Sequence, residues 1–229
     1  MAAFSTLDLV ALAWFAGSWA AYAIALERTA YGKRALNALM NRHRESWMQQ
    51  MLARDVRIVD TQLLASLQNG TAFFASTSLI AIGGTLTLLR TGDGILEVVA
   101  NIPFGAPTTR VQWETKTIGL AVIFVYAFFK FAWSYRLFNY VAILIGAMPP
   151  FDQKDTPAAR DHAARTARLF EIAGRHFNRG QRAFFLALGY LGWFVGPWAF
   201  IAATTAVMLV MWRRQFFSES HDAVAEPPT

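Results

Sequence analysis

Residues 117–148 read TIGLAVIFVYAFFKFAWSYRLFNYVAILIGAM, one apolar run closed by Pro149 and Pro150. A helix of that length measures about 48 Å at about 1.5 Å per residue, more than the ~30 Å hydrocarbon core of a bilayer. Such a segment must tilt or run on past the membrane. Two cations, Lys130 and Arg136, interrupt it. A cation inside a membrane helix is costly and faces the bundle interior, a watery cavity or the interface. The two lie about 120° apart around the helix, so they occupy different faces. Arg136 can snorkel to the interface or pair with Asp60 or Glu27. Lys130 has no carboxylate at its own depth, which leaves snorkelling or a hydrated, anion-favouring path.

Three further apolar runs surround this one. Residues 7–26 are long enough to cross a bilayer, and no Lys or Arg precedes them, so they read as a retained helix and not as a signal peptide. Ala13, Gly17 and Ala21 place a small-residue row on this helix, which permits close approach of a neighbour. Residues 63–89 form a less apolar span in which Gln62, Asn69, Ser76, Gly83 and Arg90 recur every seven residues on one face. That row is either a packing seam or the lining of a pore or substrate path. Residues 183–211 make the last span, with Gly189, Gly192 and Gly196 before Pro197. Proline cannot donate to the Trp193 carbonyl, so a kink is expected, and Gly192, Gly196 and Pro197 form a candidate hinge.

The connections are polar and basic. Residues 27–62 carry apolar positions at three- and four-residue intervals (Trp47, Met48, Met51 and Leu52 among them) and read as one or two amphipathic helices. Their Met and Trp stripe is read as packing and not as a cofactor pocket. Thr156-Pro157 is a helix start, and Gly174 and Gly180 are expected to bracket a break beside Arg175, Arg179 and Arg182. A short surface helix is expected over Ile95–Ile102. Residues 218–229 read as a disordered tail. The chain is thus all-α and polytopic, with four transmembrane helices in one domain over residues 1–217 and amphipathic helices on the cytoplasmic side.

Composition agrees, with 55% apolar and 16% charged residues and a net charge of +6. Arg28, Lys33, Arg34, Arg42, Arg44, Arg54 and Arg57 lie in the first connection, and Lys154, Arg160, Arg165, Arg168, Arg175, Arg179 and Arg182 in the third. Positive-inside then places both connections in the cytoplasm and, with four spans, both termini outside. The basic charge therefore sets orientation and does not imply nucleic acid. Cysteine is absent, which removes thiolate chemistry and disulfides. No HExxH, P-loop, nucleophile elbow or dinucleotide fingerprint occurs, so no catalytic residue, metal or cofactor is assigned and an enzyme is not expected.

The blocks RIVDTQLLASLQNGTAFFASTSLIAIGG (Arg57–Gly84), FAWSYRLFNYVAILIGAMP (Phe131–Pro149) and AGRHFNRGQRAFF running into LGWFVGPWAF (Ala173–Phe200) resemble the bacterial membrane proteins of domain-of-unknown-function family five-nine-nine. The resemblance implies a multi-pass inner-membrane protein with four helices and brings no activity with it. From the residues, the first expectation is a homo-oligomeric channel or permease for small anionic solutes. Asn69, Ser76, Gly83, Lys130, Arg136 and Asn139 would line it. The alternative is a non-transporting scaffold or accessory protein whose basic connections bind anionic lipid or a cytoplasmic partner.

Overall fold

A computed structural model of the chain describes residues 4–90 and 108–225. The expected surface helix Ile95–Ile102 lies outside the described residues. Within them the chain is helical and holds no strand. The helices are α1 (Thr6–Arg28), α2 (Leu36–Leu52), α3 (Ile58–Arg90), α4 (Arg110–Gly146), α5 (Pro157–Val195), α6 (Pro197–Phe216) and α7 (Glu219–Val224). Short 3-10 turns cover Tyr31–Arg34 and Phe151–Gln153. Among the described residues, α1, α3 and α4 are long and apolar enough to cross a membrane.

The local signals act as chemistry requires. Ser5 and Asp8 form a capping box at the start of α1, satisfying amide donors that the first turn leaves free. Thr156 accepts from the Ala159 amide at 3.3 Å and Pro157 opens α5. Pro149 and Pro150 follow the end of α4, and the Met148 and Pro149 carbonyls just beyond that end accept from Arg57 at 3.1 and 2.7 Å. Cations at a helix C-terminus also meet the negative end of its dipole.

Two glycine expectations fail for one reason. Gly174 and Gly180 do not break the chain, because α5 runs unbroken through both. They serve close approach instead. A Cβ on Gly180 would lie 2.7 Å from the Phe131 ring, and one on Gly174 would lie 3.1 Å from the Arg44 guanidinium.

The chain divides into two compact units, to which α3, α4 and α5 each contribute. The first comprises Met1–Leu36, Ser78–Tyr126 and Arg182–Thr229. Its centre is aromatic: Phe15, Tyr190 and Trp193 each stand within 5.5 Å of the Phe200 ring, centroid to centroid. Here the expected fourth span does not exist as one helix. Gly196 alone separates α5 from α6, and the chain reverses there. A Cβ on Gly192 would lie 2.7 Å from the Ala199 carbonyl oxygen, and one on Gly189 would lie 3.2 Å from the Thr204 Cα. Arg214 stacks over Phe185 at 5.5 Å, so residues far from the turn on both sides still meet. Residues 183–211 therefore form a helical hairpin, and the kink read from Pro197 is a reversal.

The hairpin also changes where the chain ends. Trp14 donates to the Thr205 hydroxyl at 3.1 Å and Tyr22 donates to the Met211 carbonyl at 3.2 Å, so α1 and α6 run parallel. The starts of both helices share one end of this unit and their last turns share the other. Thr6 and Phe216 thus lie at opposite ends of this unit. In the tail expected to be disordered, Glu219–Val224 forms a short helix capped by Ser218, and His221 meets the Arg34 carbonyl at 2.9 Å.

The second unit comprises Asn37–Thr77 and Ala127–Gln181. Met48 and Met51 of α2, Leu64 of α3, Val141 of α4 and Phe170 of α5 are buried in one apolar core. The stripe on α2 is packing, as its spacing suggests. Ala159, Ala163 and Ala173 on α5 are fully buried, and their small size lets the helices approach. The small row Ala13, Gly17 and Ala21 in the first unit behaves otherwise: all three are exposed, and a Cβ on Gly17 would meet nothing within 4 Å.

Candidate functional site

On α3, Leu64, Thr71, Ser78 and Thr85 form the buried row. The residue two positions before each, namely Gln62, Asn69, Ser76 and Gly83, is exposed. Two residues turn a helix by about 200°, so the polar row points about 160° away from the buried one. It faces outward from its own chain. A Cβ added at Gly70, Gly83 or Gly84 would meet nothing within 4 Å.

On α4 the expected residues separate. Asn139 accepts from Gln68 Nε2 at 2.8 Å, which ties α4 to α3 next to Asn69. Phe74 and Phe131 stack at 5.3 Å, which sets Lys130 and Ser76 at a similar height in the second unit. Lys130 is half-buried. Arg136 is exposed, donates to the Tyr140 hydroxyl at 2.7 Å and lies over that ring at 5.7 Å. It pairs with neither carboxylate considered for it. Asp60, fully buried, accepts from Trp47 Nε1 and Arg54 Nη1 at 2.6 Å each, and Glu27 is bound by Arg182.

At the candidate hinge the structure holds a buried polar network. Pro197 leaves the Trp193 carbonyl without its backbone donor, and Lys116 Nζ supplies one at 2.8 Å. Lys116 is only 5% exposed. The Trp193 indole donates to Asp8 Oδ1 at 2.8 Å, while the Ser5 amide and hydroxyl hold Asp8 Oδ2 at 3.1 and 2.6 Å. Every oxygen of this carboxylate is occupied, so the network fastens the hairpin to α1 and α4.

In the second unit α2 and α5 enclose an open polar groove of about 530 Å³, lined by Asn41, Arg42, Glu45, Asp161, Arg165, Arg168 and Glu171. Asn41 is fixed from both sides: its carbonyl accepts from Arg44 at 2.5 Å and its amide donates to Glu171 at 3.2 Å. Glu171 also binds Arg175 at 2.5 Å. Burial pushes the Arg44 guanidinium below its ordinary value, and the nearby Glu171 carboxylate opposes that shift. Among the described residues no group of three or more metal-ligating side chains comes together.

Residues 10–220 match the family described as "Protein of unknown function, DUF599". The chain belongs to this family. No curated protein and no solved structure matches it. The matched range contains α1 from its second turn, all of α2 to α6 and the start of α7, so nearly all of the membrane-length helices and the whole α2/α5 groove lie within the residues matched to DUF599.

Sequence reasoning missed two residues of this DUF599 protein that the structure makes central. Asp8 lies at the edge of the first apolar run and Lys116 just before the run at 117–148, and nothing in the sequence pattern singles them out. The available signal was the Trp193 carbonyl that Pro197 orphans, since a buried carbonyl demands a donor from elsewhere. The groove was legible only as a basic connection, because its lining joins two helices separated by more than a hundred residues.

Proposed function

We propose that this DUF599 protein is a homo-oligomeric channel or permease of the bacterial inner membrane, passing small anionic solutes. One observation carries the reading: Gln62, Asn69, Ser76 and Gly83 are exposed in the single chain, on the side of α3 turned away from its core. Amide side chains facing hydrocarbon are costly, so this row is better covered by another copy or by water than by lipid. Several copies around an axis can each contribute one such face. Lys130 lies near the height of Ser76 and Asn139 near that of Asn69, with Arg136 between them along α4, and the three supply positive charge and an amide held by Gln68.

The same reading gives five crossings, with the α5/α6 hairpin supplying the last two. The N-terminus is outside and the C-terminus in the cytoplasm, and α2 with the first half of α5 lies on the cytoplasmic side. That arrangement adds Arg213 and Arg214 to the fourteen cations of the two basic connections, as positive-inside favours.

The test combines native mass in nanodiscs with anion flux into vesicles. The parent protein should be oligomeric and conduct, Asn69→Leu should weaken both, and Lys130→Glu should reverse or abolish anion preference. A monomer whose Lys130→Glu form conducts like the parent rejects the reading. The accessory-protein alternative is favoured by the basic groove, and it predicts silent vesicles with a stoichiometric partner on purification.

A further inference from the structure

We infer that the α2/α5 groove is a binding site for a phosphate-bearing ligand that also carries hydroxyl or amino groups. Arg42 approaches from α2, and Arg165 and Arg168 approach from α5 one helical turn apart. None of the three has a carboxylate partner among the described residues. Two guanidiniums at i and i+3 repel unless an anion bridges them. Glu171 does not fill that role, because Arg175 and Asn41 already hold it. Around the groove and the residues bonded to its floor, five guanidiniums (Arg42, Arg44, Arg165, Arg168, Arg175) stand against three carboxylates (Glu45, Asp161, Glu171). The excess of two positive charges suits a phosphate monoester, which carries about −1.5 to −2 at neutral pH.

Geometry narrows the class further. Guanidiniums arriving from two helices need acceptor oxygens that point in several directions, which a tetrahedral phosphate offers and a planar carboxylate does not. Glu45 and Asp161, also without a partner among the described residues, can accept only from donors, so the ligand must bring hydroxyl or amino hydrogens. Asn41, fixed between Arg44 and Glu171, holds α2 and α5 in register before any ligand arrives. Both a soluble sugar- or polyol-phosphate and a lipid headgroup have this chemistry. The site does not depend on the channel reading, and its failure would leave oligomer mass and flux unaffected.

The experiment uses the full-length protein in phosphatidylcholine nanodiscs. Glycerol 3-phosphate is titrated against glycerol and against acetate at equal ionic strength, and a second arm replaces part of the lipid with phosphatidylglycerol phosphate, whose headgroup carries a phosphate monoester and a free hydroxyl; binding is read as a saturable thermal shift. We expect saturation with glycerol 3-phosphate or with phosphatidylglycerol phosphate and none with glycerol or acetate. The first outcome identifies a soluble ligand and the second a headgroup. Arg165→Gln/Arg168→Gln should weaken the apparent affinity at least tenfold. Arg42→Gln, on the other helix, should weaken it several-fold, and a charge-matched Lys154→Gln/Arg160→Gln control should stay within twofold. Arg42, Arg160, Arg165 and Arg168 are exposed and Lys154 is half-buried, so folding is retained. Absence of saturation in both arms overturns the assignment, and so does a control that loses as much as the groove variants.

Discussion

Replacing Lys116 with methionine tests whether the hairpin is held by the polar network at its turn. The substitution keeps the stem of the side chain and removes the ammonium. Two things are then lost: the donor to the Trp193 carbonyl, which Pro197 already deprives of a backbone partner, and the cation beside Asp8. Truncating one partner of a buried ion pair costs about 3–5 kcal/mol when the other charge is left uncompensated. Asp8 keeps three donors, from Ser5 and Trp193, so the carboxylate is not abandoned. The loss should approach that of one charge-assisted hydrogen bond with an orphaned carbonyl, about 2–3 kcal/mol. That is about a 30- to 150-fold change in the folded ratio. Reversible unfolding of the purified full-length protein in mixed micelles reads it directly. The double variant Asp8→Asn/Lys116→Met should lose at least about 1 kcal/mol less than the sum of the single losses, because the two residues share one network. A Lys116→Met protein within about 0.5 kcal/mol of the parent, or strictly additive losses, would refute the account.

Gly192→Ala should destabilise the hairpin by about 1–3 kcal/mol, since its Cβ would press on the Ala199 carbonyl at 2.7 Å, whereas Gly17→Ala should be neutral or stabilising by up to about 1 kcal/mol. The same unfolding assay compares them, and equal effects would contradict the close approach. His221 offers a pH dependence: its ring nitrogens face the Asp222 carboxylate at 3.1 Å and the Arg34 carbonyl at 2.9 Å, both acceptors, so the imidazolium fits. The Asp222 bond, then the Arg34 bond, raises its pKa above the ordinary value of 6.5. A raised folded value stabilises docking of α7 fully below about pH 6.5 and loses that stabilisation as pH climbs through the folded value. Amide exchange over residues 219–225 should therefore quicken on passing from about pH 6 to pH 8 by more than its intrinsic rise, and His221→Gln should abolish the excess. An excess that survives in His221→Gln assigns it to another group.

Much of the fold is legible because hydrophobic length is a one-dimensional property. The apolar runs at 7–26, 63–89 and 117–148 became α1, α3 and α4, with Thr156-Pro157 and Pro149-Pro150 marking starts and stops as backbone chemistry dictates. The glycines were not legible, because the same residue serves opposite ends. At Gly174 and Gly180 it admits a guanidinium and a phenyl ring and the helix continues, while at Gly189 and Gly192 it admits a second backbone and the chain has folded back. Which applies depends on what lies opposite. The seven-residue row on α3 was legible as a face, but its direction was not: Thr71, Ser78 and Thr85 form an equally polar row that turned out to be the buried one. Hydroxyls can satisfy themselves on the helix's own carbonyls, as Thr71 does on Leu67 at 2.8 Å, whereas Asn and Gln amides cannot do so as simply. In the channel reading proposed above, the outer row is therefore the one that a second copy or water would cover.

The reversal at Gly196 has a consequence for orientation that a single experiment decides. A kinked continuous helix over residues 183–211 would deliver Arg213 and Arg214 to the side opposite the basic connections, against the charge rule. The hairpin returns them to the end of the first unit that also holds Arg28 and Arg182, beside Tyr31 and its turn. Absence of cysteine from the chain makes the two topologies separable without background. Thr6→Cys and Ala223→Cys place single thiols at exposed positions at the two ends of the first unit. A membrane-impermeant maleimide applied to intact spheroplasts should label Thr6→Cys promptly and Ala223→Cys only after permeabilisation. Prompt labelling of Ala223→Cys in sealed spheroplasts would mean that α6 does not cross the membrane as a separate helix. The five-crossing arrangement would then fail, even with the hairpin contacts at Gly189 and Gly192 intact.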